Sequence, residues 1–347
     1  MDKENPLVTV STLLWHSEKF VKNCLSSLFA QTHHNFELLI ADNNSSDRGP
    51  EIARKIIGEN IGQRHWKFTS YGQNIGFAAG HNRHIAEAKG KYVFLLNTDV
   101  ILAENFLAEA VKVLEQNDKC AAVQPRCLRL KEINGVFEKT DIIDNFGLVI
   151  LKNRRIIGRG QGQPAKDKFL KEEEVFGADG AAPVYRQEAL DDIKICVNQQ
   201  CEYLDEDFLS YKEDVDLAWR LRLAGWRTIY APQVIAWHVR GSGDSAKKNF
   251  IGIIKERQNI NDFAKKLSFT NQRPMQLKNE QPILLLKHLP WFLPKEIAAW
   301  LYFLIFEWRN RGAIKQTFKL MPKMIKKRKI IMARKRVSAK EMEKWFE

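Results

Sequence analysis

Cysteine is scarce in this 347-residue chain, and the five present, Cys24, Cys120, Cys127, Cys196 and Cys201, form an odd set with no C-x-x-C pair. That argues against a disulfide framework and against a structural zinc site, and it suits a reducing cytosol. No uninterrupted apolar run approaches the roughly 20 residues that a spanning helix needs. The first residues, Met1-Asp2-Lys3-Glu4-Asn5-Pro6, lack a basic segment followed by an apolar core, so no secretory signal is expected. The small-residue stretch Asn74-Ile75-Gly76-Phe77-Ala78-Ala79-Gly80-His81-Asn82 fits neither the dinucleotide fingerprint nor a Walker phosphate loop. A hydrophobic fraction of 44% is ordinary for a folded protein, and the length allows a main domain plus an appendage. Charge is uneven: residues 281–347 hold sixteen Lys and Arg against five Glu, eleven of the chain's net +13. The body is nearly neutral and the tail is the basic part.

The stretch from Lys91 to Leu96 is an apolar run that passes straight into Asn97-Thr98-Asp99. It has the pattern of a central strand covered on both faces. Ligands of open α/β sheets bind beyond the carboxyl ends of the strands, where Asp99 would sit, although these three residues also suit a plain turn. Val8 to Leu14 is a first strand, ending at Trp15-His16-Ser17, and the next helix puts Phe20, Cys24, Leu25 and Leu28 on one face. Phe36 to Ala41 is a second strand and runs into Asp42-Asn43-Asn44-Ser45-Ser46-Asp47, a turn and capping cluster in which Asp42 takes the same strand-tip position as Asp99. Asn74 to Asn82 opens a helix ending at Gly90, with little side-chain bulk to keep a backbone or ligand away. A helix from Glu104 to Gln116 and a strand from Cys120 to Gln124 continue the alternation, which implies a largely parallel, three-layered sheet.

From Leu130 to Leu170 the pattern loosens, with a hairpin expected between Leu148–Leu151 and Arg155–Gly158. The segment Val175 to Ala182, including Asp179, Gly180 and Ala181, is either a tight connection or a backbone platform under a sugar. The carboxylates of Asp205, Glu206 and Asp207 read as complements to a helix dipole. Glu213 and Asp214 stand at the start of an amphipathic helix bearing Leu217, Leu221 and Ala224 and stopping at Gly225, with Trp219 and Arg220 within two turns. Strands Arg227–Ala231 and Val234–Trp237 deliver His238 at another strand end; a lone histidine is more often structural than a ligand. Ala246 to Leu267 puts Phe250, Ile253, Ile254, Ile260, Phe263 and Leu267 on one helical face, expected to pack on the body.

After Pro274 the texture becomes aromatic and basic. Leu284-Leu285-Leu286, Pro290-Trp291-Phe292-Leu293-Pro294 and Ile297 to Phe306 are interrupted by Lys287, Lys295 and Glu296, and Lys326-Lys327-Arg328-Lys329 and Arg334-Lys335-Arg336 follow. Aromatics beside Lys/Arg clusters suit a helix lying in the headgroup region of an anionic membrane. A plain helical subdomain or a nucleic-acid contact would account for the charge but the second leaves the apolar aromatics unexplained, so no nucleic acid is expected.

The order of these segments resembles the family 2 glycosyltransferases over roughly residues 6–265, and within them bacterial rhamnosyltransferase-like members that build surface polysaccharide. The residues that carry the resemblance are Asp42-Asn43-Asn44-Ser45-Ser46-Asp47, Asn74-x-Gly76-Phe77-Ala78-x-Gly80-x-Asn82, Leu96-Asn97-Thr98-Asp99, Gly180-Ala181-Ala182, Glu213-Asp214-Val215-Asp216-Leu217-x-Trp219-Arg220, and His238 with Ser242. The resemblance implies a GT-A fold, an α/β architecture with a mixed, mainly parallel sheet between helices; that domain is expected over residues 1–270, and the basic, aromatic tail is expected to form a helical membrane-associating extension over 271–347. It implies inversion at the anomeric centre, with Asp214 as general base and Glu213 as its fallback. Asp42, Asn44, Trp15, Asn74, Gly76 and Asn82 would meet the nucleotide, Asp42 accepting the imide N–H of uracil or thymine. Asp179, Gly180, Ala181, Trp219 and Arg220 would meet donor or acceptor sugar, and Asp99 with His238 would hold Mg²⁺ or Mn²⁺.

Two departures from the family pattern matter. Asn97-Thr98-Asp99 offers one carboxylate where a full D-x-D offers two, and the Q-x-x-R-W signature of processive synthases is missing. The expectation is therefore transfer of a single sugar, rhamnose among the candidates, from a dTDP- or UDP-sugar to a lipid-linked glycan, by an enzyme peripheral on the cytoplasmic face of the membrane. The other class of function is a sugar-nucleotide-binding protein without turnover that recruits partners to the membrane.

Overall fold

The computed structural model describes residues 5–166, 169–240 and 250–347, so Ser242 lies outside the described residues. The chain alternates β1 (Val8–Leu14), α1 (Val21–Phe29), β2 (Phe36–Asp42), α2 (Gly49–Asn60), β3 (Trp66–Ser70), α3 (Phe77–Glu87) and β4 (Tyr92–Leu95). It continues through β5 (Val100–Leu102), α4 (Phe106–Glu115), β6 (Cys120–Ile133) and β7 (Val136–Asn145). The expected hairpin is present as β8 (Leu148–Ile150) and β9 (Ile156–Gly158), with Leu148 opposite Gly158. Next come β10 (Glu173–Val175), β11 (Val184–Arg186), α5 (Gln187–Ile193), β12 (Ile195–Val197), β13 (Gln200–Glu202), α6 (Glu213–Leu223) and β14 (Arg227–His238). The two strands expected over 227–237 are one strand with an irregularity between Ala231 and Ile235, around Pro232. The rest is helical: α7 (Phe250–Gln258), α8 (Asp262–Asn279), α9 (Pro282–Lys287), α10 (Leu289–Phe306), α11 (Gly312–Ala333) and α12 (Ala339–Glu343).

The main sheet runs β10-β14-β6-β11-β4-β1-β2-β3, with β5 on β14 and β7 on β6. β4, β1, β2 and β3 are parallel, and β14 is parallel to β6. β11 is antiparallel to both β4 and β6, which makes β6 and β14 parallel to β4. The carboxyl ends of β1, β2, β4 and β14 therefore reach one edge, and β11 begins there. Alternation along β4 builds the layers: Tyr92 and Phe94 pack with α1 and α4, whereas Val93 and Leu95 pack with α3, α5 and α6.

Several expectations are corrected. Cys196 and Cys201 form a disulfide across the β12–β13 hairpin, their Cα atoms 4.0 Å apart. A spacing of five places them opposite each other once the hairpin forms, which C-x-x-C arithmetic overlooks. Asp205, Glu206 and Asp207 do not begin α6; they lie in a separate 3-10 turn, and Asp205 is fully buried against Lys278 and Lys327. Of the segment expected over 246–267, residues 246–249 lie outside the described residues; from Phe250 on it is not one packed helix, since α7 ends at Gln258 and Phe263, on α8, is 56% exposed.

The apolar tail also differs. Pro294, Lys295 and Glu296 do not interrupt α10, whose 18 residues have a mean hydropathy of 1.2 and are 6% buried, so this helix is long and apolar enough to cross a membrane by length and composition. Glu296 is instead drawn to the body by Arg273 (2.6 Å), and Phe303 stacks on Phe269 with ring centroids 3.7 Å apart. Part of the basic tail turns inward: Lys327 of α11 is buried among Glu202, Asp205 and Asp207.

Candidate active site

At the strand-end edge, β4 passes into Asn97-Thr98-Asp99 and the Asn97 N–H donates to the carbonyl of Ala181 (3.1 Å). This bond ties the tip of β4 to the 179–181 segment that leads into β11. His238, the last residue of β14, places Nε2 3.4 Å from Asp99 Oδ2. Its Nδ1 lies 2.8 Å from Asp144 Oδ2, and Arg240 donates to the other oxygen of Asp144 at 2.8 Å. A proton on Nδ1, shared with Asp144, fixes the ring and leaves Nε2 to face Asp99. Burial opposes charge on His238, but Asp99 and Asp144 outweigh it and hold the imidazole well above the ordinary histidine range. Burial likewise works to raise Asp144, and His238 and Arg240 reverse this and keep it below the usual carboxylate range.

Asp179 lies between the two halves of the site. Its N–H donates to Gln124 Oε1 (2.9 Å), its Oδ1 accepts from the Ala181 N–H (3.2 Å), and burial with the Asp144 charge pushes it up to about 6. A Cβ built on Gly180 would stand 3.7 Å from Asp214 Cβ, an ordinary contact distance, which places the 179–181 backbone against the start of α6. There Asp214 Oδ1 accepts from the Val215 N–H (2.7 Å), while Glu213 Oε2 is buried without a hydrogen-bond partner. Burial raises both acids, Glu213 to about 8 with the Asp214 charge adding to the shift; hydrogen bonds from backbone N–H groups oppose it at Asp214.

The turn feeding α6 is conformationally unusual. Leu209, Tyr211 and Lys212 all have positive φ, of 55°, 68° and 80°. One buried side chain on α8 secures it: Asn271 Nδ2 is 2.9, 2.9 and 2.8 Å from the carbonyls of Phe208, Ser210 and Tyr211. On its other side the turn touches the Gly76 loop, because the Phe77 N–H donates to the Leu209 carbonyl at 2.9 Å.

Asp42 ends β2 directly opposite Leu14 of β1, with Trp15 exposed just beyond. Asp42 Oδ1 accepts from the Ser45 N–H (2.9 Å), and Asn44 takes φ +67° in this turn. Buried Asn43 accepts from the Ile75 N–H (2.9 Å) and donates to the Gly76 carbonyl (3.3 Å), and Asn74 Oδ1 accepts from the Gly76 N–H (2.8 Å). The Asp42 and Asn74–Gly76 loops therefore form one unit.

Three expected contacts are corrected. Asn82 is buried on α3, where it accepts from the N–H groups of Tyr203 and Leu204 and donates to the Leu204 carbonyl and Glu206. Trp219 is 1% exposed between Phe176 and Phe346. Arg220 spends its donors on Asp216 (2.9 Å) and the carbonyls of Ile193 and Tyr203. All three hold the scaffold behind the site. Asp144, Asn43 and Asn271 were absent from the sequence-based list. Asn43 sits inside the quoted Asp42 cluster, whereas Asp144 and Asn271 are joined to the site only by folding.

For a divalent cation the donor set fits in part. The Nε2 proton that Asp99 favours would have to leave, after which Asp99 and Nε2 of His238 would offer a hard oxygen and an imidazole nitrogen facing each other, with Asp144 orienting the ring. Cys127 Sγ is 4.0 Å from Asp144, but burial pushes its thiol well above the ordinary range and Arg240 already neutralises that carboxylate, so the group of Cys127, Asp144 and His238 supports the ring.

Residues 10–194 match the family model "Glycosyl transferase family 2". Poly-beta-1,6-N-acetyl-D-glucosamine synthase of Staphylococcus aureus is 22% identical over 232 residues, covering 66% of this chain and 49% of the relative. Glycosyltransferase GlyG of Streptococcus pneumoniae is 26% identical over 113 residues, 32% of this chain and 36% of its own. The chain thus spans about half the length of the synthase. Among solved structures, the mannosyltransferase PcManGT of Pyrobaculum calidifontis in complex with GDP-Man and Mn²⁺ superposes with a TM-score of 0.51 at 16% identity, over 96% of this chain and 86% of that one. GalNAc-T7 with UDP, GalNAc and Mn²⁺ gives 0.54 at 13% identity, over 87% and 58%. These two share the GT-A fold described above. With the model covering more than half of its residues, the chain belongs to glycosyl transferase family 2.

Proposed function

We propose that the protein is a metal-assisted, inverting glycosyltransferase that moves one sugar from a UDP- or dTDP-sugar to a lipid-linked glycan during surface polysaccharide synthesis, with rhamnose among the candidate sugars. The observation that carries this is the placement of the Glu213–Asp214 pair and the Asp99–His238 pair on either side of the 179–181 segment. Asp42 would accept from the base, with the Gly76 loop close beside the nucleotide. Asp99 and His238 would hold Mg²⁺ or Mn²⁺, which supplies positive charge for the departing nucleoside diphosphate. Asp214 takes the proton of the acceptor hydroxyl as its oxygen bonds to the anomeric carbon and the bond to the diphosphate breaks on the opposite face. The raised proton affinity of the buried acids favours this role over that of a spectator ion pair.

The basic, apolar tail is assigned to the cytoplasmic face of the membrane. Leu286, Trp291, Ile305, Phe306 and Trp308 are each at least half exposed, and α10 keeps one side on α8, which favours a helix lying in the headgroup region over one surrounded by lipid. Replacing Ile305 and Phe306 with Glu is expected to release the protein from anionic vesicles in flotation, and unchanged binding refutes the assignment.

The deciding experiment is Asp214→Asn. Transfer should fall by about 10²–10⁴-fold while UDP or dTDP still binds with Mn²⁺. Near-normal turnover removes Asp214 as the base. Wild-type protein that binds nucleotide sugar yet shows neither transfer nor donor hydrolysis supports the recruiting protein without turnover.

A further inference from the structure

β6 changes partners in the middle of its run. It pairs with β11 as far as Val123 and with β7 from Cys127 onward, so among the described residues 124–126 have no strand on that side. Backbone groups at such a gap need other partners, and Pro125 has no N–H to offer. The fully buried side chain of Gln124 fills the gap. Its Nε2 donates to the carbonyls of Pro125 (2.9 Å) and of Asn145 on β7 (3.3 Å), while its Oε1 accepts from the Asp179 N–H (2.9 Å). One amide, with both N–H groups and its oxygen engaged, thus bridges β7 to the 179–181 segment.

Both ends of this bridge lead to the Asp99–His238 pair. On one side Asn145 follows Asp144, whose Oδ2 lies 2.8 Å from His238 Nδ1, and His238 Nε2 faces Asp99 at 3.4 Å. On the other side Asp179 Oδ1 accepts from the Ala181 N–H (3.2 Å), and the Ala181 carbonyl accepts from the Asn97 N–H (3.1 Å), two residues before Asp99. The contacts close a ring that runs from Asp99 through His238, Asp144, Asn145, Gln124, Asp179, Ala181 and Asn97 back to Asp99. Part of this ring is also fixed in the main chain, since the Val239 N–H donates to the Asp99 carbonyl at 3.0 Å and ties Asp99 to the end of β14. That bond does not govern where Asp144, which aims the imidazole, stands relative to the 179–181 segment. The Gln124 amide does.

We propose that Gln124 is a positioning residue for glycosyl transfer: it sets Asp144, and through it the His238 ring, in register with the 179–181 segment, so that metal and donor sugar are held at one spacing. The proposal rests on the glycosyltransferase reading above and adds to it a residue that acts through Asp144 and Asp179, its own side chain being fully buried.

The test is calorimetric titration of the full chain with Mn²⁺ in the presence of UDP. Gln124→Met roughly keeps the volume and removes all three bonds, whereas Gln124→Asn keeps the amide and shortens its reach by one methylene. Each is expected to lower Mn²⁺ affinity about tenfold in protein that thermal melting shows to be folded at the titration temperature, with UDP affinity in the absence of metal changed less than twofold. Because the effect runs through Asp144, adding Gln124→Met to Asp144→Asn should cost less than about a further twofold, where independent roles would multiply. Wild-type Mn²⁺ affinity in a folded variant overturns the proposal and makes Gln124 purely structural. Full additivity with Asp144→Asn also overturns it, as does the failure of both single variants to fold. Wild-type protein that binds neither UDP nor dTDP with Mn²⁺ removes the glycosyltransferase reading itself, and this proposal with it, and is recognised before any variant is made.

Discussion

Gly76 and Leu209 meet with no room between them: a Cβ on Gly76 would fall 2.6 Å from Leu209 Cδ1 and 2.8 Å from its carbonyl oxygen. Gly76 also has φ +87°, which a side chain strains independently of the clash. Gly76→Ala is therefore expected to cost about 2 kcal/mol or more of stability and to weaken nucleotide binding, because the loop tied to Asn43 must move. Thermal melting and a nucleotide titration check this, and an unchanged melting temperature contradicts it.

Asn271 bears on turnover from the far side of the same turn. Asn271→Ala removes the amide group whose two N–H groups are shared among three carbonyls, and frees the backbone that presents Glu213 and Asp214. The loss should be about 2–3 kcal/mol in stability and about 10–100-fold in kcat for the folded fraction, with nucleotide affinity little changed. A variant that melts earlier but turns over normally per folded molecule would make Asn271 purely structural.

Asp144 orients His238, and its removal should be felt at the metal. Asp144→Asn keeps the shape but loses the charge beside Nδ1, so Mn²⁺ affinity is expected to fall about 10–100-fold. Calorimetric titration of Mn²⁺ in the presence of UDP measures this. Affinity equal to wild type would detach Asp144 from the metal side.

Glu213 predicts a pH dependence of stability. Its proton affinity rises from 4.5 to about 8 on folding, so the unfolded chain loses this proton first and stability falls as pH climbs through that window. Glu213→Gln, which mimics the protonated acid, should match wild type near pH 4.5 and exceed it increasingly as pH rises toward 8. Melting curves across this range decide it, and a constant offset would argue against a buried proton.

The sequence made parts of this arrangement legible because strand-end residues announce themselves. Asp42, Asp99 and His238 follow strands whose pattern is plain, and a parallel sheet sends their ends to one edge. Glu213 and Asp214 were visible as acids at a helix start, but the same cluster misplaced Trp219 and Arg220. The i,i+4 pairing of Asp216 with Arg220 was the available signal that this face belongs to the interior. Asp144 was hidden because β7 lies where periodicity fades, and its partner His238 is 94 residues away. Asn271 was hidden because a polar residue in an ordinary helix carries no mark of the strained turn it secures. The edge strand β3, exposed along much of its length, gave too weak an apolar pattern to register.

The burial of Lys278 and Lys327 against Asp205 makes the last seventy residues indispensable to the part that precedes them. Trimming the chain before α11 to obtain a more soluble enzyme would take Lys327 from Glu202, Asp205 and Asp207 and leave Lys278 as the cation beside Asp205. Solubility is better sought by recolouring the outer face of α10 one residue at a time, leaving the inward lysines in place.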